Sequence, residues 1–266
     1  GSALNDPEAD PASGETPAIV VTVARPFAMT RTEITVAQFR AFAEATQYPV
    51  NGDCRIPSGG GWQRFPEHSW QDPGFGAPQT DAEPVVCISF ADAKAYAAWL
   101  TKTVGHTYRL PSEVEWEYAA RGGRSQSMFP WGNYYLRNKK GCLMANFKPG
   151  RGNYPEDGGF YTVRADAYWP NDFGLYNMAG NVAEWTSSLY YEGAYNFQHD
   201  MNPDIRWNAK ESDPPRMKRK VIRGGSWKDV GYFLQTSARN YEYQDTTKSY
   251  IGFRCVIDLP PAASKR

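Results

Sequence analysis

Hydrophobic residues recur at helical spacing in the first half of the chain. Val36, Phe39 and Phe42 follow Thr35 at intervals of three residues. This spacing places the three side chains on one face of a helix that begins at Thr35. A second segment with the same kind of apolar face follows Ser89.

Capping residues mark the start of the second helix and of a further one. Ser89 precedes Asp92 by three residues, a variant of the capping box, and Ser112 precedes Glu115 in a full Ser-x-x-Glu box. The second box predicts a third helix, and the glycine at Gly122 is typical of the position just after a helix.

Short β-branched runs predict strands at 19–23, 27–32, 221–223 and 252–256, with the first two paired to each other. Helical periodicity stops after residue 124. The pattern predicts one loop-rich α+β domain at 18–258, between an exposed leading segment at 1–17 and a tail at 259–266. No apolar run reaches the length of about 18 residues that a membrane-spanning helix needs, so no transmembrane segment is predicted.

Residues 49–84 are rich in glycine, proline and aromatic residues, and a loop of this length is usually functional or stapled. Cys54 and Cys87 flank it, and a disulfide between them would close about 32 residues. Cys142 and Cys255 would then form the complementary pair. Two disulfides predict an oxidising compartment, whereas four free thiols in a cytosolic protein are the alternative.

Charge and histidine content exclude some classes of function. Lys+Arg and Asp+Glu both number 29, which argues against a nucleic-acid-binding protein because these carry a basic excess. With three histidines and no Cys-x-x-Cys pair, neither a histidine-rich metal site nor a zinc site is predicted.

Two groups of residues have a structural and a functional interpretation. The basic run at 217–220 is either a docking patch or a solvated face. Rings of the long loop either line a ligand groove or fill a small core of their own: Trp62, Phe65, Trp70 and Phe75. Three arginines of the second half either bind an anionic partner group or form internal salt bridges: Arg223, Arg239 and Arg254.

Seven ordered motifs resemble the formylglycine-generating-enzyme (sulfatase-modifying factor) family. They are MTRTEIT at 29–35, PVVCIS at 84–89, YRLPSEVEWEY at 108–118, FPWGN at 129–133, GLYNMAGNVAEW at 174–185, RGGSW at 223–227 and GFRC at 252–255. The resemblance implies a variant of the C-type lectin fold, with little regular secondary structure and bound calcium.

Active members of that family hold Cu(I) between two cysteines shortly after the Gly-Gly-Ser motif. Counted from Ser226, those positions are Asp229 and Leu234 in this chain. A carboxylate and an alkyl group do not replace two thiolates, which are the soft ligands that Cu(I) prefers. The sequence therefore predicts no copper cofactor and no copper-dependent oxidase activity.

The resemblance also implies two calcium sites with structural roles. One would use Asn146, Asp157 and the backbone of Phe147 and Phe160, and the other Glu184 with the segment Gly180, Asn181 and Val182. Such oxygen ligands suit calcium. The alternative is that Asn181 and Glu184 only form hydrogen bonds with loop backbone.

Three segments, at 145–154, 217–229 and 243–250, resemble the GldK/PorK lipoproteins of bacterial gliding and type IX secretion. Together with the missing cysteine pair, this resemblance favours a non-catalytic binding or assembly module of the bacterial envelope. The expected location is periplasmic or extracellular, and before processing the protein would be an outer-membrane lipoprotein. Its expected partner is an envelope protein, with self-association left open. The alternatives are an oxidoreductase with a different site, as in the PvdO-like proteins, and a lectin-like ligand-binding protein.

Overall fold

Three helices begin where the sequence predicts them. In the computed structural model, which describes residues 9–50, 52–132, 135–150 and 154–260, they are α1 (Val36–Thr46), α2 (Phe90–Val104) and α3 (Glu113–Arg121). Each N-cap hydroxyl accepts a backbone N–H, and the residue three positions later accepts one in return. These reciprocal bonds satisfy donors that a helix start otherwise leaves unpaired.

Ten short strands form three sheets in the described residues. They are β1 (Phe27–Met29), β2 (Cys54–Ser58), β3 (Gly61–Phe65), β4 (Tyr108–Arg109), β5 (Ala183–Leu189), β6 (Arg219–Arg223), β7 (Asn240–Tyr243), β8 (Thr247–Lys248), β9 (Ile251–Gly252) and β10 (Val256–Asp258). The strand orders are β1-β10-β4, β3-β2-β8 and β7-β6-β5-β9. Short strands, three helices and long irregular segments confirm the predicted α+β, loop-rich class.

Two of the predicted strands are wrong in detail. Residues 19–23 form only a single bridge, between Thr22 and Met201, and β1 pairs with β10 instead. Val20 of this segment is 91% exposed, so its apolar side chain gains no burial that would hold it in a sheet. The predicted strand at 252–256 is interrupted at 253–255, between β9 and β10. There the carbonyls of Phe253 and Cys255 accept the backbone N–H groups of Ile34 and Thr30, at 2.9 Å each, so this stretch is bonded to the segment before α1.

The main core lies where helices α1 and α2 meet strands β5 and β6. Phe39 of α1 packs against Phe42, Tyr96 of α2 and Phe253, with ring centroids 5.2 to 6.4 Å apart. Trp185 of β5 belongs to the same cluster and is fully buried. This cluster fixes the motif at 174–185 between the helices and the sheet.

The long segment at 49–84 is partly a hairpin, β2–β3, that the composition did not predict. The disulfide between Cys54 and Cys87 is confirmed. The predicted pairing of Cys142 with Cys255 is wrong, because Cys142 is an exposed free thiol and Cys255 is a free thiol inside the main core.

The leading segment is not exposed throughout, which corrects the prediction for 1–17. Gly14 and Glu15 are buried, and Glu15 accepts hydrogen bonds from the hydroxyls of Ser13 and Tyr232. These hydrogen bonds stabilise the buried position of the carboxylate. Residues 1–8 and 261–266 lie outside the described part of the chain. Within that part, no helix has the length and apolar character needed to cross a membrane.

Candidate functional site

Of the two positions that correspond to the copper cysteines, Asp229 precedes a short 3-10 turn at Gly231–Leu234 and Leu234 is its last residue. Asp229 is 7% exposed, accepts a hydrogen bond of 2.6 Å from the hydroxyl of Ser226 and forms an ion pair with Lys228. Leu234 is fully buried in a cluster with Phe129 and Phe147. Both side chains are held in structural contacts, so these positions do not fit copper.

The two free thiols do not provide a substitute pair. Cys255 lies in the main core, where burial raises the pKa of its thiol to about 12. Cys142 is exposed in a turn, where its backbone bonds to Asn138. A soft metal site needs thiolates that meet at one point, and neither thiol lies at the Gly-Gly-Ser loop.

The first predicted calcium set fits a cation. Asn146 is 1% exposed, and its side-chain oxygen accepts no hydrogen bond from the described residues. The carboxylate of Asp157 accepts the backbone N–H of Phe147, the residue after Asn146 along the chain, at 2.8 Å. Burial raises the pKa of Asp157 against the opposing effect of these backbone bonds. When bound, calcium would be coordinated by oxygen atoms of both segments and would hold 146–147 close to 157–160.

The second predicted set is largely committed to the protein itself. Glu184 accepts two bonds of 2.7 Å from Arg254 and one of 2.8 Å from the indole of Trp116. The side-chain oxygen of Asn181 accepts the backbone N–H of Val163 at 3.0 Å. Asn181 therefore does bond loop backbone, whereas Glu184 forms a buried ion pair.

Asn177 is a candidate ligand that the sequence analysis missed. It is 6% exposed, its side-chain oxygen accepts no hydrogen bond from the described residues, and its amide donates to the carbonyl of Ala165 at 3.0 Å. The sequence feature that could have indicated it is the position of Asn177 in the motif at 174–185, four residues before Asn181. The described residues contain no cluster of three His, Cys, Asp or Glu side chains suited to a metal, so any cation here depends on amide and backbone oxygens.

A buried carboxyl group, Glu33, also lies in this region. It accepts a hydrogen bond of 3.0 Å from the amide of Asn181 and one of 3.3 Å from that of Asn177. Burial raises the pKa of Glu33 to about 8; the positive charge of Arg254 lowers it, and the negative charge of Glu184 raises it further. The guanidinium of Arg254 thus forms hydrogen bonds with Glu184 and acts on Glu33 through its charge alone. Glu33 carries its proton at neutral pH.

The raised pKa of Glu33 predicts that stability falls as the pH rises from about 4.5 to about 8. In that window the unfolded chain has released the proton and the folded chain still holds it, so deprotonation favours unfolding. We expect Glu33→Gln to flatten this part of the melting-temperature profile. Carboxyl groups with lowered pKa act below this window, so a Glu33→Gln profile with the wild-type slope would contradict the assignment.

The three arginines of the second half form internal salt bridges. Arg239 donates two bonds to Glu113, at 2.6 and 2.9 Å, and Arg254 pairs with Glu184. Arg223 donates to Glu117 at 2.6 Å and to the backbone carbonyls of the segment 236–238. All three are fully buried or nearly so, which rules out the alternative in which they bind a partner.

The basic run at 217–220 is not a free docking patch. Lys220 is 2% exposed and donates to the carbonyl of Trp207 at 2.5 Å, and burial, with Lys94 nearby, lowers the pKa of its ammonium group to about 8. Lys218 and Arg219 form ion pairs with Asp245 and Glu192.

The aromatic rings of the long loop mostly fill cores. Trp70 is 5% exposed in the main core, and Phe75 stacks on Tyr161 at 4.3 Å. Trp62 is the exception, with 37% of its surface exposed.

The fold and the motif order define the class of this chain. Residues 1–259 match the family described as the sulfatase-modifying factor enzyme 1-like domain, and the chain belongs to this family. This confirms the resemblance from which the fold was predicted.

Particular relatives agree with this assignment. The chain is 32% identical to the formylglycine-generating enzyme of Thermomonospora curvata, over 95% of this chain and 88% of that protein. It is 30% identical to the mouse protein named inactive C-alpha-formylglycine-generating enzyme 2, over 92% of this chain and 79% of that protein. The structure of PvdO from Pseudomonas aeruginosa superposes with a TM-score of 0.76 at 28% identity, covering 97% of this chain and 90% of that one.

Proposed function

We propose that this chain is a non-catalytic binding or assembly module that has lost the copper chemistry of its family. The observation that carries this proposal is the pair of residues at the copper positions. Asp229 is bonded to Ser226 and Lys228, and Leu234 is packed in a hydrophobic cluster. Neither supplies a thiolate, and neither has a cysteine near it in sequence.

The name of one relative gives a precedent for a member of this family without the enzyme activity. One relative at 30% identity is named an inactive formylglycine-generating enzyme. The fold is therefore found in proteins named as enzymes and in a protein named as inactive, and fold alone does not fix function.

The cell envelope is the proposed location. The disulfide between Cys54 and Cys87 supports it, because structural disulfides persist in oxidising compartments. Association with gliding or type IX secretion proteins is the finer form of the proposal, and it is motivated by the resemblance of the segments at 145–154, 217–229 and 243–250 to the GldK/PorK lipoproteins. The unsatisfied side-chain oxygen of Asn146 supports structural calcium.

An activity assay tests the loss of copper chemistry. We expect no conversion of a cysteine-containing sulfatase peptide in the presence of Cu(I) and oxygen, followed by mass spectrometry. The Thermomonospora curvata enzyme, tested in parallel, controls for substrate quality and copper loading. Conversion of the peptide by this chain at a rate that depends on copper would overturn the proposal.

An oxidoreductase with a different site is the second candidate. It is favoured by the similarity to PvdO, which extends over nearly the whole of both chains. Catalysis would require convergent polar groups in an accessible cleft. The strongly perturbed carboxyl group described above, Glu33, is fully buried, which favours the binding role.

A further inference from the structure

A row of basic side chains crosses the sheet formed by β3, β2 and β8. Arg55 at the centre is the register partner of Arg64 on β3 and of Lys248 on β8. Residues paired directly across strands present their side chains on the same face. Two arginines and a lysine therefore lie side by side on the face opposite to the buried Cys54 and Ile56.

This arrangement is unfavourable for the isolated domain. Like charges directly opposite each other on neighbouring strands destabilise a sheet. The outer two have acidic partners, since Arg64 pairs with Asp53 and Lys248 with Glu242, at 2.8 Å for the latter pair. The guanidinium of Arg55 forms no ion pair with any described residue, so the centre of the row carries an uncompensated positive charge.

Aromatic groups and a fourth cation extend the same face. Trp62 lies two residues from Arg64 along β3 and packs on Tyr250 with centroids 4.8 Å apart. The ammonium group of Lys228 lies 4.2 Å from the Tyr250 ring centroid and 5.8 Å from that of Trp62. Since Lys228 is paired with Asp229, this face adjoins the loop that carries the copper positions.

We propose that this face, defined by Arg55, Arg64, Lys248 and Trp62, binds an acidic peptide segment of a protein partner. Adjacent strands lie about 4.8 Å apart, so the row spans about 10 Å, the length of three residues of an extended peptide. Carboxylates of such a segment reach the row, with Arg55 as the central guanidinium, which is suited to two-point binding of a carboxylate. The exposed part of Trp62 accepts an apolar side chain beside them.

The support of the face is rigid. Cys54 precedes Arg55 and is joined to Cys87, which fixes β2 to the segment before α2. The basic row is thus held in place before a partner arrives, which reduces the ordering cost of binding. The inference rests on the proposed binding role and names the partner class for it.

Fluorescence anisotropy of labelled hexa-glutamate, with hexa-glutamine carrying the same label as reference, tests the inference. We expect wild-type protein to bind the acidic peptide and not the neutral one, with affinity that falls as salt is raised. Arg55→Gln should weaken binding by about fivefold or more, and Arg64→Gln, at a side chain that is 64% exposed, provides a second variant should the first fail to fold. Arg124→Gln, which removes an exposed arginine paired with Asp172, should leave binding unchanged.

Equal binding of the two peptides, or equal loss in Arg55→Gln and Arg124→Gln, would overturn the inference. Tighter binding of a labelled twelve-residue oligothymidylate through Arg55 would also overturn it, since the face would then serve a nucleic acid. Copper-dependent peptide conversion is a separate readout, so failure of this surface and failure of the non-catalytic role can be told apart.

Discussion

Replacing Arg254 with methionine is expected to lower the free energy of unfolding by about 3–5 kcal/mol. The variant leaves the carboxylate of Glu184 fully buried with the indole of Trp116 as its one remaining side-chain donor. It also removes the bond of 2.8 Å to the carbonyl of Tyr176. Urea unfolding at neutral pH measures the loss, which is large because an unpaired buried charge costs far more than a lost surface contact.

A double variant shows how much of this destabilisation comes from the unpaired charge of Glu184. Arg254→Met with Glu184→Gln removes both charges, and we expect it to be more stable than Arg254→Met alone. The exposed arginine of the Arg40–Asp81 pair provides the control, because Arg40→Met should leave the unfolding midpoint nearly unchanged. If Arg254→Met were no more destabilising than Arg40→Met, the buried ion pair would not have the role assigned to it.

Removing the disulfide should lower stability by roughly 3–4 kcal/mol, the value that the chain-entropy model gives for a loop of this length. The variant is Cys54→Ala with Cys87→Ala, and thermal unfolding measures its effect. Reductant should lower the melting temperature of the wild-type protein and leave that of the variant unchanged. Cys142→Ser, at an exposed thiol, is the matched control and should behave as wild type.

Alkylation and intact mass give an independent test of the same bond. Without reductant, only Cys142 and Cys255 should be available after denaturation, and with reductant all four cysteines should react. Labelling of four thiols without reductant would contradict both the disulfide and the argument for an oxidising compartment.

The sequence predicted those elements whose signals are local. Ser89 and Ser112 are N-caps, as their spacing to Asp92 and Glu115 indicates, and the first predicted helix begins directly after its own N-cap, Thr35. Capping depends on neighbours within one turn, so it can be read without knowing the rest of the fold. The loop that a disulfide closes was also predictable, because cysteines flank it.

Pairing between distant segments was not predictable in this way. Phe27–Met29 looks equally suited to pair with 19–23 or with 256–258, and only the complete fold selects β10. Strand β5 was missed because both its faces are largely buried, so it lacks the alternation of polar and apolar residues that marks a half-exposed strand. The Cys142–Cys255 error has the same origin, since the count of cysteines carries no distances.

The candidate site was predictable only in part. The absence of the copper pair follows from counting along one loop, and the structure explains how Asp229 and Leu234 are accommodated instead. The partners of Glu33 were hidden, because Asn181 lies 148 residues away along the chain. The basic row is likewise invisible in the sequence, since Arg55 and Lys248 become neighbours only through the parallel pairing of β2 and β8.

Native mass spectrometry of the folded protein after incubation with Cu(I) shows whether the chain binds copper. Cysteine introduced at both positions, Asp229→Cys with Leu234→Cys, provides the matched variant with a thiolate pair. We expect no copper on the wild-type chain and one copper on the double variant, with calcium on both that chelation removes. One copper per wild-type chain would overturn the proposed loss of copper chemistry and restore copper-dependent oxidation as its function.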